Sequence, residues 1–387
     1  MPLESPFTRD EYVDRLNRTV AVLQKNEMDA LVGFANKVMP GHVRYLTGYE
    51  TRHGIEDASY FVLTPDYGKR LTLITNASWE PLREMSWVEE IIVSSKFKDI
   101  IPDLLPPTAR RIGIVGYESL PAPVFEALRG RFPGVPFIDA SRPYYEVRMV
   151  KSPAEVAVLR RCAQITQAGA QAFLDSVQAG RSEREILVAV ESALKLNGSG
   201  EVSFTTQVGA GPKTFVINPY ATDQRLKEGD MVLLDCGATY WGYRGDLSRT
   251  TVVGKGSSEV LQLLEGTAEM YDRCLEAVRP GVPSSNIAKA GMAVAEQRGL
   301  KDCLYSSPNV KVGFMGHAIG THYHEPPWID VVENTVLQEN MVIVLEPILR
   351  KEGIGGVLIE DAVLVTAKGG ERLSTLDIRP WRSAQSA

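Results

Sequence analysis

Asp235 closes the apolar run Val232-Leu233-Leu234, and Asp246 follows eleven residues later, beyond a turn near Tyr240, Trp241 and Gly242. An unpaired carboxylate beside such a run is expensive to bury. A two-residue turn centred on Tyr240-Trp241 sets the two aspartates directly opposite across a hairpin, with Cβ atoms roughly 4.5 to 5.5 Å apart. Two like charges at that distance call for a cation; the plainer alternative is one solvated aspartate and one turn aspartate. Downstream, Gly316-His317-Ala-Ile-Gly-Thr-His322-Tyr-His324-Glu325 holds three of the five histidines among small residues. Such crowding favours a metal or catalytic site. If the piece is extended, His322 and His324 share a face, and one of them is only a neighbour of the site. Glu346 closes Met341-Val-Ile-Val-Leu, and Glu360 closes Gly356-Val-Leu-Ile, where a solvated face is a poor explanation. Asp361 reads as solvated or as a turn cap. Four carboxylates and a histidine on separate strands match the oxygen-rich set that holds two divalent ions bridged by carboxylates and a water.

The elements that would position these residues fall into two domains, since 387 residues exceed what one core usually organises. Thr8 and Glu11 frame a helix with Leu16, Val20 and Leu23 on one face, and Ala30 to Phe34 reads as a strand. Apolar runs at 60–63, 71–74, 90–93 and 112–115 continue the alternation, which predicts an α/β domain. Lys151-Ser152-Pro153-Ala154-Glu155 then supplies an N-cap, a first-turn proline and a capping-box glutamate, so a long helix begins there. The expected domains are 1–150 and 151–387. Within the second, Val177-Gln-Ala-Gly180-Arg-Ser182 and Val278-Arg-Pro-Gly281-Val-Pro283 align 101 residues apart, and each following helix runs on to a glycine, Gly198 or Gly299. Either two helix hairpins share turn chemistry, or the domain has two related halves with a site between them.

Composition narrows the function. With 42 basic against 48 acidic residues, the chain lacks the basic excess that phosphate-backbone binding needs, so no nucleic acid is expected. Cys162, Cys236, Cys274 and Cys303 have no CxxC spacing and read as thiols in a reducing compartment. Neither a leader-like apolar segment nor a run of ~20 apolar residues is seen, so a cytoplasmic protein without a membrane partner is expected. Gly209-Ala-Gly211-Pro lacks the lysine and following helix of a phosphate cradle and reads as a wall of the pocket.

The order Asp235, Asp246, His317, Glu346, Glu360 resembles the metal site of the pita-bread metallopeptidases, a group that includes aminopeptidase P, prolidase, methionine aminopeptidase and creatinase relatives. GDMVLLDCGATYWGYRGDLSRT, GHAIGTHYHEPP, ENMVIVLEPIL and GVLIEDAVLVT carry the likeness, as do RMVKSPAEVAVLRRCAQIT and, in the N-terminal part, HVRYLTGYE. The resemblance implies an α/β N-terminal creatinase-like domain, an α+β pita-bread C-terminal catalytic domain and a homodimer. It further implies two divalent ions, manganese before cobalt, iron or zinc. Asp235 would chelate one ion, Asp246 and Glu360 would bridge both, and His317 and Glu346 would complete the other shell. A bridging hydroxide would attack an amide carbonyl of a short peptide or small molecule. Glu346 would shuttle its proton, and His324 would bind the substrate and donate to the oxyanion.

Two positions depart from the peptidase pattern. Seventeen residues before Asp235, where those enzymes usually have a histidine, stands Asn218, which can hydrogen-bond a substrate but carries no charge. Two residues before Glu360, Leu358 replaces a usual arginine. The leading expectation is a hydrolase of Xaa-Pro bonds. The alternative is a small-molecule enzyme of the same fold, resembling creatinase or ectoine hydrolase. A dimethylsulfoniopropionate-lyase-like enzyme ranks lower, because Gly237 stands where that lyase would have an additional metal aspartate. A binding protein without chemistry ranks last, since every ligand is retained.

Overall fold

The computed structural model describes residues 5–51, 57–66, 68, 70–77, 82–216, 218–304 and 313–385. The chain divides into two compact units, Met1–Arg148 and Met149–Ala387.

In the first unit, Thr8 accepts from the Glu11 backbone N–H and starts the helix Arg9–Lys25, which buries Leu16, Val20 and Leu23. Strands β1 (Ala30–Asn36), β2 (Ala58–Leu63), β3 (Leu71–Thr75), β4 (Glu90–Val93), β5 (Ile112–Val115) and β6 (Phe137–Asp139) form one sheet ordered β4-β3-β2-β1-β5-β6. The β1–β2–β3 run is antiparallel, while β4, β5 and β6 join in parallel. Strand periodicity divides the apolar side chains between two faces. Leu31, Phe61 and Leu73 pack with Leu16 and Leu23 on one face. Val32, Val62 and Ile114 pack with Val124 and Leu128 on the other.

The second unit contains β7 (Gln207–Ala210), β8 (Met231–Cys236), β9 (Thr239–Tyr240), β10 (Tyr243–Arg244), β11 (Leu247–Val252), β12 (Gly316–Ala318) and β13 (Glu325–Trp328), then β14 (Val342–Leu345), β15 (Ile348–Lys351), β16 (Gly355–Leu358), β17 (Glu360–Thr366) and β18 (Gly369–Arg372). Its main sheet is antiparallel, ordered β13-β12-β14-β17-β11-β8-β7, with β18 on β17. Two helix pairs cover one face. Pro153–Ser176 and Glu183–Leu196 bury Ile165, Phe173, Ile186 and Val190 against Val232, Leu234 and Cys236. Ser258–Ala277 and Ser284–Gln297 bury Leu264, Tyr271 and Ile287 against Ile343, Leu345 and Val363. Ser152 and Glu155 form the capping box that starts the first of these helices.

The two helix pairs turn with matching hydrogen bonds. Gly180 N–H donates to Leu226 O at 2.9 Å and Leu226 N–H to Arg181 O at 2.8 Å. Gly281 N–H donates to Leu337 O at 2.8 Å and Leu337 N–H to Val282 O at 2.9 Å. Both glycines are left-handed, with φ of +87° and +83°, where a side chain would be strained. Nine residues beyond Leu226 is Asp235, and nine beyond Leu337 is Glu346. The repeated turn chemistry thus extends to two halves, and each half carries one of these carboxylates at an equivalent place.

The hairpin after β8 departs from expectation. Tyr240 pairs with Tyr243, so the two-residue turn is Trp241-Gly242, with φ of +50° and +74°. A tight hairpin turn with positive φ at both positions favours glycine at the second, which moves the centre one residue along. Asp235 therefore faces Ser248, and Asp246 lies on the diagonal. Asp361 is likewise neither solvated nor a cap. It is fully buried on the helix-covered side, with Arg249 Nη2 at 3.1 and 3.0 Å from its two oxygens.

Candidate metal centre

Alternation along the strands brings the candidate residues to the sheet face away from the helices. Ser248 pairs with Asp235 of β8 and also with Glu360 of β17, and its hydroxyl donates to Glu360 Oε2 at 2.7 Å. Asp246, two residues earlier, shares the face of Ser248. His317 pairs with Val344, two residues before Glu346. The ligand atoms form three overlapping groups, each within 4.8 Å: Asp235 with Asp246 and Glu360; His317 with Glu346 and Glu360; Asp246 with His317 and His324. Glu360 is common to the first two groups. Although Asp235 and Asp246 are not directly opposite, their carboxylate oxygens still converge.

His317 Nδ1 is 2.9 Å from Ala318 O and donates to it, so Nε2 carries the free lone pair. That nitrogen lies 3.7 Å from Asp246 Oδ2, 3.7 Å from Glu346 Oε2 and 3.8 Å from Glu360 Oε1. Burial holds the imidazole well below its ordinary pKa, helped by His324, so these contacts join a neutral ring to carboxylates. Asp235 Oδ1, His317 Nε2 and Glu346 Oε2 are buried without a hydrogen-bond partner among the described residues. Buried polar atoms are rarely left so, and three converging orphans mark the place of an ion.

Burial pushes the Asp235 carboxyl up to about 7. It pushes Glu346 up to about 8, aided by the charge of Asp235 and opposed by Arg350. Asp246 and Glu360 are raised further, by burial first and then by neighbouring carboxylates. Without cations, four carboxylates so close cannot all ionise at neutral pH. Behind them, Arg249 donates to the backbone carbonyls of Ser248 and Glu360, both at 2.8 Å, and fixes the two central strands from the far side.

The second histidine approaches from the loop between β12 and β13. His324 stacks edge-on against His317, with ring centroids 4.2 Å apart, and its ring lies 4.6 Å from Tyr323 and 5.9 Å from Trp328. Enclosed by protein but open to solvent on one side, it is lowered by desolvation to about 4. The segment bends rather than extends, and His322 stays outside the three converging groups. Glu325 holds the bend, accepting from His322 N–H at 2.9 Å and pairing with Lys151 at 3.5 Å, both side chains buried. Asn218 is exposed, on the segment between β7 and β8, with φ of +54°. Leu358 packs with Leu233 and Ile348, all on the carboxylate face. Tyr220 is exposed, while Tyr323 packs against His324 and against Phe204. Sequence reasoning missed Trp328, Glu325 and Ser248; only the spacing of Ser248 from Asp246 along one strand face could have suggested a role.

Residues 157–367, more than half of the chain, match the family described as Metallopeptidase family M24. The chain belongs to that family. Residues 15–150 match the Creatinase/Prolidase N-terminal domain. As an M24 protein the chain is a metal-dependent hydrolase with a creatinase-like N-terminal domain and a pita-bread catalytic domain. Proteins named Xaa-Pro dipeptidase from Pyrococcus horikoshii and Pyrococcus furiosus are each 28% identical to it, over 93% of this chain and 97% of theirs. The solved prolidase from Pyrococcus horikoshii OT3 superposes with a TM-score of 0.83 at 26% identity, covering 94% of this M24 chain and 99% of that one. The X-Pro aminopeptidase from Thermotoga maritima shares the fold, with a TM-score of 0.80 at 23% identity over 94% of this chain and 98% of its own. Among the described residues, no helix is long and apolar enough to cross a membrane.

Proposed function

We propose that this M24 protein is a dinuclear hydrolase that cleaves the Xaa-Pro bond of short peptides. The observation that carries the reading is the convergence of Asp235, Asp246, His317, Glu346 and Glu360 with three orphaned ligand atoms. The names of the Pyrococcus relatives supply the substrate class. Asp235, Asp246 and Glu360 would hold one divalent ion, and His317, Glu346, Asp246 and Glu360 the other. Carboxylate oxygens with a single imidazole suit manganese, ahead of cobalt, iron or zinc. When bound, such ions polarise the carbonyl and lower the pKa of water at the site. Glu346 accepts the proton of the attacking water and passes it to the leaving nitrogen. His324, neutral near pH 7, donates its N–H to the carbonyl oxygen as negative charge develops there. Asn218 donates or accepts a hydrogen bond to the substrate without adding charge. A cytoplasmic homodimer completes the reading.

A second reading is favoured by Leu358. Its contact with Leu233 and Ile348 makes that part of the carboxylate face apolar and uncharged, which suits a small N-alkylated amide. The lyase reading finds no such support, because a Cβ on Gly237 would lie 2.0 Å from Gly245 O and leaves no room for an aspartate. Hydrolysis assays on manganese-loaded protein, with Xaa-Pro dipeptides, Xaa-Pro-Yaa tripeptides and N-alkylated non-peptide amides, separate the two. Proline-peptide turnover establishes the first reading. Bound metal with turnover only of the non-peptide amides establishes the second.

A further inference from the structure

The joint between helix and connecting segment is built alike in both halves, except at one side chain. Glu183 N–H donates to Gln224 O at 3.1 Å and Arg184 N–H to Thr222 O at 3.0 Å. In the other half, Ser284 N–H donates to Thr335 O at 2.9 Å and Ser285 N–H to Glu333 O at 3.0 Å. These backbone bonds recur, yet Ser284 adds only one hydroxyl bond, to Glu333 O at 3.1 Å. At the equivalent place, Glu183 is a fully buried carboxylate. Its Oε1 accepts from Ala210 N–H at 2.9 Å. Its Oε2 accepts from Thr222 N–H at 2.8 Å, from Thr222 Oγ1 at 2.7 Å and from the Lys213 ammonium. Lys213 in turn donates to Tyr220 O at 3.2 Å. One side chain therefore ties the beginning, interior and end of the segment from 210 to 222, more than the joint itself requires.

That segment crosses the face bearing the carboxylates. Gln207 pairs with Asp235 and Gly209 with Leu233, so Gly209 shares the face of Asp235. A Cβ on Gly209 would lie 2.9 Å from Pro219, which places Pro219 on this face. At the other side, Thr214 Oγ1 accepts from Gly356 N–H at 2.9 Å, and Arg350 Nη1 donates to Phe215 O at 2.7 Å. Asn218 stands between these anchors.

We propose that Glu183 is a positioning residue, whose clasp on Ala210, Lys213 and Thr222 presents Asn218 to the substrate. The inference rests on the reading of Asn218 as a substrate contact. Full-length, manganese-loaded Glu183→Ala is expected to raise KM for leucylproline about tenfold, with kcat within about threefold and metal content unchanged. Glu183→Gln, which keeps an acceptor for part of the set, recovers part of the loss. Thr222→Val and Lys213→Met give smaller shifts of the same kind and serve if Glu183→Ala does not fold. Chymotryptic nicking at Phe215 and Tyr220, which needs no turnover, is expected to accelerate in each folded variant. Unchanged KM and unchanged nicking overturn the clasp, and so does loss of kcat together with metal. Asn218→Ala separates the two ideas. If it leaves KM unchanged, the reading of Asn218 fails; if it raises KM while Glu183→Ala does not, the clasp fails.

Discussion

The two halves of the catalytic unit share a helix pair, a glycine turn and a strand ending in a carboxylate, yet they hold their inward segments by opposite means. In the first half the carboxylate comes from a helix, Glu183, and its lysine partner, Lys213, from the segment it restrains. In the second the carboxylate, Glu325, lies in the segment, and its lysine, Lys151, comes from the other half, just before the helix Pro153–Ser176. Lys213 is partly exposed, with 23% of its side chain accessible, whereas Lys151 and Glu325 are at 1% and 2%. The two scaffolds match in their backbone turns, yet the first half carries a neutral amide, Asn218, and the second an imidazole, His324. On the proposed reading the two side chains serve different atoms, Asn218 as a substrate contact and His324 as the oxyanion donor.

The comparison is broken most severely at the residues the halves share. Asp246→Ala should remove metal and activity together, as measured by metal content and turnover; retained activity would contradict a dinuclear site. His324→Ala should lower kcat by about 10²- to 10³-fold while metal content stays near its original value. Loss of an ion in that variant would make His324 a ligand beside Asp246 and His317. Glu325→Gln should cost about 3 kcal/mol in denaturant unfolding, because a buried pair loses one charge. Glu183→Gln should cost less, roughly 1 kcal/mol, since Lys213 can reach water.

Metal removal gives a pH signature. Asp235 and Glu346 have folded pKa values of about 7 and about 8, raised by burial above the usual carboxyl range. The folded metal-free protein binds more protons than the unfolded chain, so this contribution is complete at acid pH and is lost as pH rises through those values. His317 and His324 are shifted downward and so oppose this trend below about pH 6.5, the ordinary histidine value. Between pH 6.5 and 8 the carboxyls dominate, and metal-free protein should lose up to about 1.4 kcal/mol per pH unit for each carboxyl still protonated. Thermal melts with and without manganese should diverge across that window. The smallest effect sharpens the contrast in substrate contacts: Asn218→His should raise kcat/KM for leucylproline severalfold, and no change would place specificity elsewhere.

Much of the site was legible because Asp235, Glu346 and Glu360 each follow an apolar run, where a carboxylate without a partner is implausible. The repeat was legible in Gly180 and Gly281, because a left-handed turn restricts residue choice. The hairpin register was misread by one turn position, since Trp241 gives no sign that it adopts positive φ. Asp361 looked solvated because its partner Arg249 lies 112 positions away in sequence. Glu183 and Glu325 carry no signal in the sequence for the same reason. Their burial depends on Ala210, Thr222 and Lys151, which folding alone brings to them.

The most direct test of the account is anomalous diffraction from manganese-loaded crystals. Two peaks are predicted, one among Asp235, Asp246 and Glu360 and the other among His317, Glu346, Asp246 and Glu360, with His324 outside both shells. A single peak, or one with His324 in place of Glu346, would contradict it.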